Sequence, residues 1–190
     1  VNKNIGFIGQ RIIGIKNLTE HAGATTLTYV LKKHIEKLYK VKAVELDAKD
    51  FMFFNDDNLD SISGFELKNY LNDNNELEVI LVDASSEDAL SYCTDTIYLV
   101  EPGIIQLNRL VKQDNKIFEK LKGKKLILNR SILSAGDVTD FEKESGSKVF
   151  YNIPSIDDKE DNIKIIKELL IALGFTRFND EDSGGFGLFR

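Results

Sequence analysis

One short segment of the chain has a residue pattern suited to holding phosphate. Residues 18–26 read L-T-E-H-A-G-A-T-T and lead into a stretch of helical period. A phosphate loop needs a glycine turn whose backbone N–H groups point at phosphate, a lysine on the β/γ-phosphates and a hydroxyl on magnesium. Gly23, Thr25 and Thr26 occupy the glycine and hydroxyl positions, but Ala24 stands where the lysine would be. The segment therefore predicts a phosphate and Mg²⁺ site that lacks its usual cation.

Polar residues also end several apolar runs farther along the chain. Asp47, Asp83, Asn129 and Arg130 follow such runs. Open α/β sheets bind ligands beyond the carboxyl ends of their strands, so the loops at these ends are where a site is expected. The aspartates and the asparagine are also ordinary turn formers, and the two threonines of the loop are ordinary helix caps. Residue type alone leaves both interpretations open.

The elements that must position these residues alternate in type. Apolar runs of strand length alternate with stretches of helical period, which is typical of a parallel sheet covered by helices. We predict strands at residues 11–17, 42–47, 78–83, 96–100, 125–129 and 149–153, with an extra edge strand at 4–9. Helices are predicted at residues 25–38, 104–121, 137–145 and 161–173, and near 65–71, with Asp137 as a cap and Gly146 and Gly174 as stops. The predicted fold is α/β, with three layers in which a mostly parallel sheet is flanked by helices.

The composition restricts the class of protein. The 190 residues include 31 acidic and 25 basic side chains and one cysteine, Cys93. A single cysteine excludes an internal disulfide. The excess of acidic side chains argues against a nucleic-acid binder. The apolar runs are too short for a membrane-spanning helix. We predict one cytoplasmic domain over residues 1–178 and a flexible tail over 179–190. Because the first residue is Val1 rather than Met, the chain could be part of a longer protein. Membrane or partner contact through this end is a minor hypothesis, based on Phe178, Phe186, Leu188 and Phe189.

Taken in order, these motifs resemble the MinD/ParA class of P-loop ATPases, including its CpaE/TadZ branch. The likeness extends over about residues 11–174 and begins with the G-x-T-T of the loop. Five further segments carry it: Asp47 at a strand end, V-I-L-V-D at 79–83, D-T-I-Y-L-V-E-P-G at 95–103, L-I-L-N-R at 126–130 and N-I-P at 152–154. The resemblance implies a P-loop NTPase-like fold, ATP and Mg²⁺ as ligands, and a homodimer.

The resemblance also implies roles for single residues. The nucleotide-binding residues would be Gly23, Thr25, Thr26, Asp47, Asp83, Asn129 and Arg130. Thr25 and Asp83 would hold Mg²⁺ if a nucleotide binds. Asp47 would lie near the attacking water, and Asn129 would contact the adenine.

The chain departs from the family at the residues that matter most for turnover. The family's loop reads G-K-G-G-x-G-K-T-T, so its signature lysine becomes Thr19 and its second lysine becomes Ala24, while Glu20 and His21 stand in glycine positions. The family's signature lysine reaches across a dimer to the partner's phosphates, which Thr19 cannot do. This degenerate loop predicts weakened nucleotide binding, a pseudo-ATPase without efficient hydrolysis, and no catalytic residue. The cations that could substitute are Arg130, Lys16 and protonated His21.

Three functions remain open at this point. The first is a non-hydrolysing scaffold or localisation module for a membrane-associated assembly, such as pilus or secretion machinery, recruited to the inner face of the membrane by protein partners. The second is an ATP-binding dimerisation switch with slow Mg²⁺-dependent hydrolysis. The third is a small-molecule kinase or ligase, which would need a lysine or arginine clamp that the sequence does not reveal.

Overall fold

A parallel sheet of seven strands organises the chain. The computed structural model describes residues 9–155 and 159–178, with the backbone alone for 159–162. The strand order is β3-β2-β4-β1-β5-β6-β7, and every neighbouring pair is parallel. The strands are β1 (Arg11–Asn17), β2 (Val41–Leu46), β3 (Leu59–Ile62), β4 (Val79–Asp83), β5 (Asp95–Val100), β6 (Lys125–Ser131) and β7 (Val149–Pro154). This architecture confirms the predicted α/β fold, and the described sheet is parallel throughout.

Helices cover both faces of the sheet. They are α1 (Ala24–Ile35), α2 (Leu67–Asp73), α3 (Glu87–Leu90), α4 (Ile104–Gln113), α5 (Ile117–Lys120), α6 (Ala135–Ser145) and α7 (Lys159–Ala172). Helices α1 and α7 bury one core against the sheet, and α2 to α6 pack on the other face. None of the helices in the described ranges is long and apolar enough to cross a membrane.

The central strands were predictable because both of their faces are buried. In β1, Ile13 and Ile15 face the core under α1 and α7, whereas Ile12 faces the opposite core. A strand buried on both sides reads as a continuous apolar run. The short edge strand β3 was missed, since three of its side chains are only partly buried, Ser61 is exposed, and its sequence, L-D-S-I, is half polar.

Two predicted helices differ from the structure. The stretch 104–121 is divided into α4 and α5 because Asp114 adopts an extended conformation and its carboxylate accepts a hydrogen bond from the N–H of Lys116. Helix α6 begins at Ala135 instead of following a cap at Asp137. Ser134 is the cap, and Asp137 bonds back to the backbone N–H of Ser134 as the other half of a capping box.

The end of the described chain also corrects a prediction. Phe178, one of the residues on which the hypothesis of membrane or partner contact is based, is buried beside Tyr39 and Phe175. Arg177 fixes this end by stacking on Tyr39 and pairing with Glu78. The predicted strand at 4–9 and the tail at 179–190 lie outside the described residues, so both remain predictions.

Candidate functional site

The loop between β1 and α1 contains a glycine that its geometry requires. Gly23 has φ of 93°, a left-handed conformation that disfavours residues with a Cβ. A Cβ at this position would also lie 2.9 Å from Nδ2 of Asn129. That amide donates a 2.7 Å hydrogen bond to the carbonyl oxygen of Ala22. The loop is therefore held closely against the end of β6.

At the start of α1, Thr25 contacts Asp83, the other residue predicted to hold Mg²⁺. The hydroxyl of Thr25 donates a 2.6 Å hydrogen bond to Oδ2 of Asp83, at the end of β4. Hydroxyl and carboxylate oxygens are ligands that Mg²⁺ accepts. The donor set at this point therefore fits the predicted cation.

Asp83 lies where a negative charge is unfavourable without a cation. Burial raises its pKa to about 6, and the nearby carboxylates of Glu45 and Asp50 add to the rise, while the hydrogen bond from Thr25 opposes it. Glu45 is fully buried on the adjacent β2 and stands beside Asp83 in the sheet register. A cation bound at Asp83 would offset both the burial and the repulsion.

The backbone N–H of Ala24 has a partner that the sequence analysis did not identify. It donates to Oδ1 of Asn17, the last residue of β1, at 3.0 Å. Gly23, at the cap position of α1, provides no side chain for this purpose. A polar residue at the strand end immediately before the loop was the available signal.

The side chains of Thr19 and Glu20, at the start of the loop, make their contacts with residues outside it. Thr19, predicted to stand at the signature-lysine position, is buried, and its hydroxyl accepts a 2.8 Å hydrogen bond from the N–H of Glu101. Glu20 is exposed and forms a 3.5 Å ion pair with Arg109 on α4. The side chain of Thr19 therefore points into the protein, toward Glu101, and the side chain of Glu20 points toward α4.

Asn129 and Arg130 approach the loop from the end of β6. Asn129 is largely buried by its bond to the loop, whereas Arg130 is exposed. Arg130 adopts φ of 52°, and its Nη1 donates to the carbonyl oxygen of His21 at 3.4 Å. His21 is itself left-handed, with φ of 59°. Non-glycine residues in this conformation are concentrated at functional sites.

Other predicted site residues have different surroundings. Asp47 is exposed, and its carboxylate accepts hydrogen bonds from the N–H of Gly64 and the hydroxyl of Ser85. Lys16, proposed as a substitute cation, bonds Glu87 at 2.9 Å on the other side of the sheet from α1. The structure thus gathers five of the predicted residues around the loop: Gly23, Thr25, Asp83, Asn129 and Arg130.

Thr26 lies in an adjoining groove of about 480 Å³. The groove runs between α1 and α7, below the ends of β6 and β7, and has a mainly apolar lining. Its walls include Val30, Ile153, Pro154 and Ile166 in addition to Asn129 and Arg130. A mainly apolar lining with a few polar groups is typical of small-molecule sites.

No protein-family model matches the chain, and no curated protein matches its sequence. Solved structures do match its fold. The ParA family ATPase of Chlorobium tepidum TLS is 14% identical with a TM-score of 0.57, covering 89% of this chain and 91% of its own. The MinD cell division protein of Aquifex aeolicus is 16% identical with a TM-score of 0.56, covering 95% and 100%.

A putative plasmid partition protein of Borrelia burgdorferi B31, solved with AMPPNP bound, is 18% identical with a TM-score of 0.53, covering 86% of this chain and 98% of its own. At these identities the similarity concerns architecture. The chain has the fold of the ParA/MinD P-loop ATPases.

Proposed function

We propose that this protein is a P-loop ATPase-like domain that does not hydrolyse ATP efficiently and serves as a scaffold or localisation module. The observation that carries the proposal is the loss of both lysine positions. Ala24 has no charge to offer, and Thr19 is turned inward onto Glu101. Phosphoryl transfer depends on positioned positive charge, so the site retains a cradle without its main catalytic element.

The assembly that this scaffold would serve is inferred from the sequence resemblance. The CpaE/TadZ branch suggests a membrane-associated assembly such as pilus or secretion machinery, with protein partners. We propose that the protein is cytoplasmic and is recruited to the inner face of the membrane.

Phosphate release from MgATP tests the loss of hydrolysis. We expect the wild-type chain to release no more phosphate than Asp83→Asn, a matched variant that removes the magnesium carboxylate. Turnover by the wild type that Asp83→Asn abolishes would overturn the proposal.

The localisation of a fluorescent fusion tests the scaffold role. We expect the same localisation pattern for the wild type and for Asp83→Asn. A redistribution of the variant would contradict the scaffold role.

Restoring the lysine separates a lost side chain from a collapsed loop. We expect Ala24→Lys to strengthen ATP binding by about 10- to 100-fold, because a lysine–phosphate hydrogen bond contributes about 1.5–3 kcal/mol. Isothermal titration calorimetry with MgATP measures this change. Because Ala24 is buried, thermal unfolding must first show that the variant is folded. In a folded variant, no gain in affinity would mean that the backbone of the loop cannot accept phosphate.

The second candidate is an ATP-binding dimerisation switch. The hydrogen bond between Thr25 and Asp83 favours it, since this pair is suited to Mg²⁺ and would have no such use in a purely structural domain. The switch predicts a homodimer that forms with MgATP and dissociates without it. Sedimentation velocity with and without MgATP distinguishes the two candidates, because the scaffold predicts an oligomeric state independent of nucleotide.

A further inference from the structure

The side chain of Arg130 lies against the phosphate loop. We propose that Arg130 replaces the missing lysine as the cation that binds the phosphoryl groups of a nucleoside polyphosphate, from within the same chain. The proposal rests on the site described under the proposed function, and it concerns binding rather than turnover. It therefore gives a non-hydrolysing domain a defined class of ligand.

The position of Arg130 is fixed by its neighbours. The preceding residue, Asn129, is held to the loop by its 2.7 Å hydrogen bond to Ala22. The left-handed backbone at Arg130 redirects the chain at this point, and Cζ and Nε of the guanidinium each lie 3.9 Å from the Cβ position of Gly23. Because Gly23 immediately precedes α1, this cation is beside the helix N-terminus where backbone N–H groups favour anions.

The charge of Arg130 is available, unlike that of the neighbouring cations. Lys16 is paired with Glu87, and Arg109 is paired with Glu20. Within the ranges that the structure describes, no carboxylate lies within ion-pair distance of Arg130. Its hydrogen bond to the carbonyl of His21 is long, at 3.4 Å. A phosphate oxygen would offer a shorter, charge-assisted bond in its place.

The surroundings of Arg130 define the class of ligand. A guanidinium binds phosphate through two parallel N–H groups, which a lysine cannot do. Thr25, two residues after Gly23, forms with Asp83 the hydroxyl–carboxylate pair suited to Mg²⁺. Arg130 itself lines the apolar groove between α1 and α7. A ligand spanning these features carries a planar base, a chain of phosphates and a magnesium ion.

Calorimetry on the full chain with MgATP, and separately with inorganic pyrophosphate and Mg²⁺, tests the assignment. We expect Arg130→Ala to weaken the binding of both probes by at least about tenfold, and Arg130→Lys to weaken it less. Arg109→Ala is the matched control, since it removes an exposed arginine that also contacts the loop, and we expect its affinities to stay within about twofold of wild type.

Two results would overturn the assignment: affinities of Arg130→Ala within twofold of wild type, or no binding of either probe by the wild type. If thermal unfolding shows that Arg130→Ala is not folded, Arg130→Gln replaces it and the same criteria apply. Failure of the proposed function is seen separately, as phosphate release from MgATP. A chain that hydrolyses ATP and still depends on Arg130 for binding would refute the scaffold but support this inference.

Discussion

The buried carboxylate of Asp83 destabilises the folded protein when no cation is bound, so replacing it with asparagine should stabilise the fold. Burial raises its pKa from 3.8 to about 6. Because the folded state binds this proton more tightly than the unfolded state, the ionised group costs stability above pH 6, and that cost declines as the pH falls toward 4. The two pKa values correspond to a penalty of about 3 kcal/mol at pH 8 and about half of that at pH 5.

Asparagine retains an oxygen that can accept the hydrogen bond from Thr25 while removing the charge. We therefore expect Asp83→Asn to raise the free energy of unfolding by up to about 3 kcal/mol at pH 8 and by about half of that at pH 5. Urea unfolding of both proteins at the two pH values measures the gain. Asp47→Asn is the control, since this carboxylate also follows a strand but is exposed, and we expect no comparable gain.

The same variant tests the link between this instability and the ligand. If Asp83 binds Mg²⁺, adding MgCl₂ should stabilise the wild type and leave Asp83→Asn unchanged, because a ligand stabilises only the state that binds it. Urea midpoints with and without MgCl₂ measure this difference. A variant no more stable than wild type at pH 8, or a gain independent of pH, would refute the electrostatic argument.

Two further predictions concern buried contacts away from the loop. Lys32 has no exposed side-chain surface and pairs with Glu36 and Asp56. Lys32→Met should therefore lower the free energy of unfolding in urea by about 3–5 kcal/mol. The control is Lys33→Met, at a neighbouring side chain that is 45% exposed, and it should lower this free energy by less than about 1 kcal/mol. A loss equally small at Lys32 would contradict this account. Gly14→Val should also destabilise the folded protein, by about 1–3 kcal/mol. The reason is that a Cβ at this position would lie 2.5 Å from Leu90 and 2.8 Å from Cys93. Gly136→Ala on α6 is its control, because a Cβ there would meet only Oγ of Ser134, at an ordinary contact distance of 3.7 Å. Thermal melts that show equal losses for the two variants would refute the steric argument.

The sequence was sufficient for the fold where local pattern and burial coincide. Strands such as Arg11–Asn17 lie between two covered faces, so their apolar runs identified them directly. Where elements are short or partly exposed the pattern failed, as at β3 and at the break around Asp114. In these places hydrogen bonds between distant residues or local turn geometry decide the structure, and neither produces a periodic signal.

For the candidate site, the sequence by itself determined which chemical groups are present: a glycine with two hydroxyl residues, aspartates at strand ends, and the absence of a lysine in the loop. Only the tertiary structure decided how they face one another. Parallel strands bring Asp83 to Thr25 and Arg130 to His21 in the loop from 58 and 109 residues away along the chain. It also decided that Thr19 turns inward and that Asn17 caps α1. The direction of a side chain at a strand end depends on which backbone groups lie nearby. Those groups are brought there by contacts between residues far apart along the chain, which the local sequence does not show.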